Sequence, residues 1–487
     1  MITALILLVA LGILGWGLYR AQPMGKLGIL AWLQSVALML PWLLFFGLSA
    51  AGIDMNLAGV LFLLVASTLV YIVLGRQLRA IASQSALDLP SPPSDLAKTS
   101  TETAPVLLTP PSEPIEAIAM PAEDVQLVRG IFGIDTFFAT ETIPYQDGVI
   151  FRGNLRGEPE ASYEQLSTSL KARLGDRYRL FLVEGEDSKP VAVVLPSTND
   201  PQPTTLTQAL LAGVLGLATI ASSMETAGIL KGFDFFNKPE RYLEVLPMSA
   251  GILLILAVYE LGRRWIARQR QVRLSPPFFI PAIQIGSFGA LTRFQSLLPD
   301  RSALFDIAFA GPAAGGLLAL GMLMAGLVLS TPASLFQIPV EFFQGSILVG
   351  TLARVVLGSA LQQPVVSIHP LVVIGWLGLV ITAINLMPAG QLDGGRIVQS
   401  IYGRKTAGRT TVATLIVLGI ATLANPLALY WAIVILVLQR NLERPALNEL
   451  VEPTDAQAAL GLLVLFLMAA TLLPLTPGLA GRLGIGG

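Results

Sequence analysis

The chain contains no cysteine and a single histidine, His369, in 487 residues. Without cysteine there is no disulfide, no thiolate metal site and no cysteine nucleophile. One histidine excludes a two-histidine zinc site within one chain, whereas catalytic zinc takes three protein ligands and most often two or more imidazoles. A Ser-His-Asp hydrolase would have to rest on His369. Charge is scarce as well: Asp, Glu, Lys and Arg make up 13% of the residues, against ~25% in a soluble domain. The formal net charge of −1 gives no sign of a nucleic-acid partner. Instead 53% of the chain is hydrophobic, which predicts that most of it is solvated by a lipid bilayer.

Residues 2–18, 27–48 and 55–75, within an N-terminal portion 1–80, are apolar runs long enough to cross a bilayer core of about 30 Å. The first begins at Met1 with no basic leader, small-residue cleavage site or preceding Ser/Arg-rich transit segment, and reads as an anchor. Residues 81–122, including "PSPPSDLAKTSTETAPVLLTPPSEP", bury too little apolar surface to fold and read as a flexible linker. Residues 123–200 read as a small α+β domain. "DTFFATETIPYQDGVIFRGNLRG" holds two strands with a turn near Asp147-Gly148. A helix places Leu166, Leu170 and Leu174 on one face and stops at Gly175, and a hairpin turns at Gly185 to Ser188.

From 201 to 475 apolar segments return, at 206–223, 243–262, 303–329, 366–388, 410–424, 427–438 and 457–473, before a tail at 476–487. Arg20, Lys26, Arg76, Arg79, then Arg263, Arg264, Arg268, Arg270, Arg273, then Arg396, Arg404, Lys405 and Arg409 fall in loops that share one side by the positive-inside rule. The linker and soluble domain then face the cytoplasm and the N-terminus faces out. This requires 341–361, with Arg354 in it, to lie as an interfacial helix. The pair 410–424 and 427–438 is either a tight hairpin around Asn425-Pro426 or one broken helix. The predicted fold is therefore an all-α polytopic membrane bundle of about eight to ten transmembrane helices, with a small cytoplasmic α+β domain.

Candidate chemistry begins at "AVYELGRRW", residues 257–265. In a zincin helix, His-Glu-x-x-His holds zinc with two imidazoles on one face while the glutamate takes a proton from the bound water. Here Glu260 stands in that frame with Tyr259 before it and Arg263 after it. Taken alone, Glu260 reads as a solvated interfacial carboxylate paired with Arg263 or Arg264. "NLMPAGQLDGGRI", residues 385–397, supplies Asn385, Pro388, Asp393 and Gly394. It resembles the Asn-x-x-Pro…Leu-Asp-Gly motif of the site-2 protease family, whose aspartate is the third zinc ligand. "AGPAAG" at 310–315 resembles that family's small-residue motif, and "IGSFGALTRF" at 285–294, with Ser287 and Gly289, falls where it places a re-entrant, substrate-facing loop. "FGIDTFF" at 132–138, "GNLRG" at 153–157 and "HPLVVIGWLGL" at 369–379 resemble the plant and cyanobacterial branch that contains the ethylene-dependent gravitropism-deficient and yellow-green proteins.

The resemblance implies an intramembrane zinc metalloprotease fold, and one branch of this plant family is likewise regarded as lacking the zinc motif. This chain departs at both imidazole positions. Tyr259 carries a phenol that stays protonated near neutral pH. Arg263 is a permanent cation that cannot ligate zinc and repels it. The resemblance makes Tyr259, Arg263 and Asp393 vestigial ligand positions and Glu260 a vestigial general base, with Arg263 supplying the counter-charge that the two carboxylates need within a membrane. No cofactor is then expected, and zinc only if the site is active.

Plainer readings accompany the other residues. His369 before Pro370 reads as a hydrogen-bonded interfacial residue, Ser287 as backbone packing rather than a nucleophile, and the small residues of AGPAAG as close helix contacts. GNLRG, with Asn154 and Arg156, reads as a tight turn or a docking loop, and Asp306 as the partner of Arg301 or another cation.

The expected function is that of a catalytically inactive pseudoprotease in the bilayer, binding membrane-protein clients or an active protease relative, without nucleic acid. An active intramembrane metalloendopeptidase with an atypical site is the alternative. A transporter or channel is the third class, for which the spans show neither internal repeats nor a clear polar pathway. The expected setting is a thylakoid or plasma membrane of a cyanobacterium-like cell.

Overall fold

The computed structural model describes residues 120–486, apart from 146, 186–188, 335, 424 and 440, together with scattered positions between 18 and 77. The three expected N-terminal spans, the linker up to residue 119 and most of the turn at Gly185 to Ser188 lie outside the described residues. The chain divides into two compact units, residues 1–115 with 413–438 and residues 116–412 with 439–487. The second unit holds everything that concerns the site.

The sheet-containing part begins with α1 (Ala122–Arg129), followed by β1 (Phe137–Tyr145), β2 (Gly148–Leu155), α2 (Pro159–Leu174), β3 (Tyr178–Glu184) and β4 (Pro190–Pro196). The strands form one antiparallel sheet in the order β1-β2-β4-β3. Helix α2 buries Ser162, Leu166, Leu170 and Leu174 at four-residue spacing, the single stripe of a helix packed on one side. It stops at Gly175, whose φ of 62° suits glycine. Phe137, Phe151, Leu180, Leu182, Ala192 and Val194 fill the core beneath it. GNLRG is not a turn: Gly153 to Leu155 complete β2, paired with Phe137 to Ala139. A Cβ at Gly153 would lie 2.2 Å from the Phe138 carbonyl oxygen, so the strands approach only because that residue is glycine.

The sheet gains a further neighbour from far along the chain. Leu182 N–H donates to Leu447 O and Glu449 N–H to Leu182 O, both at 2.8 Å. On its other side this segment donates from Leu447 to Leu298 O (2.8 Å) and from Asn448 to Pro299 O (2.9 Å). Backbone hydrogen bonds thus tie the four-stranded sheet to the residues that open the helix Arg301–Leu329.

The membrane portion runs α3 (Leu206–Leu230), α4 (Tyr242–Gln269), the hairpin β5 (Phe278–Ala282) and β6 (Gly286–Leu291), then α5 (Arg301–Leu329). It continues through β7 (Phe336–Pro339), α6 (Ile347–Leu357), β8 (Val365–Ile368), α7 (Pro370–Asn385) and α8 (Asp393–Ala421). Helix α9 (Pro426–Val434) belongs to the first unit, and α10 (Asp455–Leu472) completes the second. Among the described residues four helices are long and apolar enough to cross a membrane: Leu206–Leu230, Pro239–Gln269, Arg301–Leu329 and Asp455–Leu472. The described part is thus mostly helical, but with fewer such helices than the sequence predicts. The 366–388 segment divides into strand β8 and the 16-residue α7, short of the ~20 residues a span needs. Residues 410–421 of the 410–424 segment form the latter part of α8, which bends at Gly403 (φ 77°). The β5–β6 hairpin and the two-stranded β7–β8 sheet, whose strands flank α6 in the chain, also make this portion less than all-α.

Candidate active site

Helix α4 continues past the apolar segment 243–262 to Gln269, because arginine is a good helix former and the arginines can reach carboxylates and carbonyls. Glu260 and Arg263 therefore lie one turn apart inside a helix, and Tyr259 faces α5. There the glycines of AGPAAG make room: a Cβ at Gly311 or Gly315 would lie 2.6 and 2.7 Å from ring atoms of Tyr259. Gly262 meets Ala314 in the same way, at 2.7 Å. The small residues are close helix contacts, as their composition predicts.

Asp393 opens α8 after a tight turn that contains Pro388. A Cβ at Gly394 would lie 1.8 Å from Leu386 O, and one at Gly395 would lie 2.3 Å from Gly390 O. Only glycine lets the turn fold back so closely. Asn385 ends α7, and its side-chain amide donates to Phe288 O and Ile381 O, both at 2.8 Å. Its partner strand carries Gly289 at φ 97°, where a Cβ would lie 2.4 Å from that amide nitrogen. Ser287 donates to Ile280 O (3.0 Å) and accepts from Gly289 N–H (3.1 Å). Asn385, Ser287 and Gly289 thus seat the β5–β6 hairpin against the end of α7. The serine acts here as a packing residue.

The site itself is a chain of alternating charges. Arg263 donates to Glu260 Oε1 at 3.0 Å and, through its other terminal nitrogen, to Asp393 Oδ2. Tyr259 donates its hydroxyl to the same Asp393 oxygen at 2.5 Å. Glu260 also accepts from Thr292 (3.2 Å) and lies 3.8 Å from Arg264. Beyond Asp393, Arg396 stands 3.8 Å away and binds Glu443 through two nitrogens, at 3.0 and 2.8 Å. The sequence of charges is Arg264, Glu260, Arg263, Asp393, Arg396, Glu443, three of each sign. Glu260, Arg263, Asp393, Arg396 and Glu443 are all less than 10% exposed. Buried ions cost several kcal/mol each unless neighbours compensate them, and in this chain every carboxylate has a guanidinium beside it.

Three sequence expectations change here. Glu260 is paired with Arg263 and Arg264, but it is buried rather than solvated. Arg263 and Arg396, counted among the loop arginines that set sidedness, are buried in the site. The sequence motifs alone do not mark Arg396, Glu443 or Thr292 as members of the site. Arg396 was legible in principle, three residues after Asp393 on the same helix. Glu443 was not, since it arrives from a distant loop.

The remaining candidates lie elsewhere. His369 caps α7 by accepting the Leu371 N–H on Nδ1 at 3.3 Å. It sits at the opposite end of that 16-residue helix from Asn385, about 24 Å away at 1.5 Å per residue. Asn154 and Arg156 are exposed at the end of β2, and among the described residues no hydrogen bond or ion pair joins them to the charge chain. Asp306 pairs with Arg270, while Arg301 binds Glu452 at 2.9 Å and the carbonyls of Ser400 and Ile401.

Comparison with known proteins finds family matches in both portions. Residues 126–203 match the EGY3 middle domain, and residues 247–425 match peptidase family M50. The chain is 40% identical over 367 residues to the probable zinc metalloprotease EGY2, chloroplastic, of Arabidopsis thaliana, covering 74% of this chain and 66% of that protein. It is 39% identical over 402 residues to the probable zinc metalloprotease EGY1, chloroplastic, of the same plant, covering 74% and 73%. To the probable zinc metallopeptidase EGY3, chloroplastic, also of Arabidopsis thaliana, it is 32% identical over 383 residues, covering 73% and 66%. The chain thus spans about two thirds to three quarters of these relatives' lengths. No solved structure matches it.

The expectation that no cofactor belongs to this system is corrected by these relatives, whose names point to zinc. The residues at this site nevertheless do not fit that ion. Arg263 offers no lone pair, and its guanidinium already binds both carboxylates that would face the metal. Among the described residues no three His, Cys, Asp or Glu side chains are placed to hold one. By the match of its membrane portion and its identity over nearly three quarters of a relative's length, the chain belongs to peptidase family M50, the site-2 protease family, on its EGY branch.

Proposed function

We propose that this chain works by binding membrane proteins, clients or an active protease relative, without cutting them. The observation that carries this is the guanidinium of Arg263, hydrogen-bonded to both Glu260 and Asp393. In this arrangement Glu260 is not free to act as a general base, because its carboxylate is engaged by Arg263, Arg264 and Thr292. The geometry supports Tyr259, Arg263 and Asp393 as former ligand positions, with the electrostatic role of a metal passed to a tethered cation. Asn385, Gly289 and Ser287 keep a structural task, seating the hairpin.

The competing reading is an active intramembrane metalloendopeptidase, favoured by the names of the relatives and by the retained Glu260. The two separate by mapping new protein N-termini in membranes that express the chain or its Glu260→Gln variant. The binding role predicts identical N-termini in the two. Cleavages that vanish with Glu260→Gln and with a chelator sink it.

We place the protein in the bilayer of a photosynthetic membrane, with residues 123–200 on the arginine-rich side. The chloroplastic relatives support a thylakoid-type membrane; they lend nothing to a cyanobacterium-like source.

A further inference from the structure

The soluble sheet uses only one of its faces for its own core. Alternate residues send Val149, Phe151, Leu180, Leu182, Ala192 and Val194 inward. The opposite face of a one-sided antiparallel sheet is ordinarily polar. Here it carries an apolar row instead: Ile150 stands opposite Val193, and Val193 opposite Phe181, across three strands. Leu195 and Val183 extend the row, and all five line a cavity of about 790 Å³. That volume lies in the range of ~300–1,000 Å³ typical of ligand sites.

The other wall comes from the membrane portion. Arg404, next to the bend at Gly403, and Arg444, next to Glu443, line it with Leu297 and Pro445. Each arginine spends one terminal nitrogen on a backbone carbonyl, Arg404 on Glu443 O and Arg444 on Asn199 O. Neither forms an ion pair with a carboxylate among the described residues. Of the two carboxylates on the rim, Asp147 and Asp200, the latter is held by Arg179 at 3.0 Å. The cavity therefore joins an apolar floor to two guanidinium groups that, among the described residues, no carboxylate pairs with directly.

We infer that this cleft is a docking groove for an extended polypeptide segment in which apolar side chains alternate with carboxylates. An extended chain sends successive side chains to opposite sides, so its apolar set lies on the Ile150–Val193–Phe181 row while its acids reach Arg404 and Arg444. Apolar pockets for alternate side chains are how extended peptides are selected. The inference rests on the binding role proposed above and names its surface and the chemistry of its partner.

The test uses the detergent-solubilised full chain and a short fluorescent peptide of alternating leucine and glutamate. Leucine–lysine and serine–glutamate peptides are the controls, and a benzophenone amino acid at Tyr145 on the groove rim is the photocrosslinker. The leucine–glutamate peptide binds and crosslinks, and both controls bind at least about tenfold more weakly. Arg404→Gln with Arg444→Gln weakens binding by a similar factor at an unchanged thermal midpoint. Equal binding of the three peptides overturns the proposal, as does a crosslink to phosphatidylglycerol in nanodiscs with none to peptide. So does undiminished binding by the double variant. Glu260-dependent proteolysis overturns the binding-only role and leaves the peptide selectivity standing; lost selectivity without proteolysis does the reverse.

Discussion

Arg263 and Asp393, 130 positions apart, form a buried ion pair that joins helix α4 to the start of helix α8. The same guanidinium holds Glu260 on its own helix. One side chain thus neutralises two acids on two elements and fixes the distance between them.

The first prediction follows from that bridge. Arg263→Ala leaves Glu260 and Asp393 near one another without their shared cation. Removing one partner of a buried pair costs about 3–5 kcal/mol. The thermal midpoint of the purified protein should fall clearly, and Asp393→Asn added to Arg263→Ala should recover part of the loss by removing an unpaired charge. If Arg263→Ala leaves the midpoint unmoved, the bridge carries no stability.

How much of this was legible in the sequence depends on where the partner residues lie. Tyr259, Glu260, Arg263 and Asp393 could be singled out because each stands in a short motif, and the structure brings the four together. The helix face of Leu166, Leu170 and Leu174 could be read because its period is local. Glu443 could not, because its contact with Arg396 spans 47 positions and no local pattern marks it. The divided 366–388 segment was hidden for a different reason. Apolar composition alone does not distinguish a strand followed by a short helix from one continuous span. His369 at the junction, followed by Pro370 at the first helical position, was the available signal.

The second prediction concerns the fit of Tyr259 against α5. Gly315→Ala places a methyl group where ring atoms of Tyr259 now sit, 2.7 Å away. Overpacking of this kind costs about 1–3 kcal/mol. Tyr259→Ala should relieve the clash, so the double variant should be more stable than the sum of the single effects. Strict additivity in that cycle, read from thermal midpoints, would show that the ring and the glycine do not meet.

The third concerns alkaline pH in the four-stranded sheet domain. Burial, and then the hydrogen bond to Asp124 at 2.7 Å, push the phenol of Tyr178 up to about 12 from its ordinary 10.0. Both folded and unfolded chains hold the proton below ~10, so there the contribution is present in full. Between 10 and about 12 only the unfolded chain releases it, and stability falls as pH rises through that window. Tyr178→Phe should flatten that decline while lowering stability at neutral pH by about 1.5–3 kcal/mol through the lost bond to a carboxylate. An unchanged alkaline slope in the variant assigns the decline elsewhere, for which Tyr163, also raised to about 12 by burial, is the next test.

The last prediction reverses the substitution that defines this site. Tyr259→His with Arg263→His places two imidazoles at i and i+4 on α4, facing Asp393, and removes the cation between the acids. The ligand set then becomes two histidines and a carboxylate, a combination that holds catalytic zinc. A metal that binds only the folded state raises stability by RT ln(1 + [L]/Kd), about 2.7 kcal/mol at a hundredfold excess over Kd. The double variant should therefore be less stable than the parent in chelator and should gain a rise in thermal midpoint with added zinc. Asp393→Asn on that background should abolish most of the rise, since it removes the third ligand, while Thr292→Ala should leave it. Arg396, 3.8 Å from Asp393 and held by Glu443, competes for the carboxylate. Arg396→Gln should consequently sharpen the zinc response. A double variant whose midpoint does not respond to zinc would mean that the backbone here no longer presents the ligand geometry, leaving Arg263 as a structural cation with no metal precedent at its position.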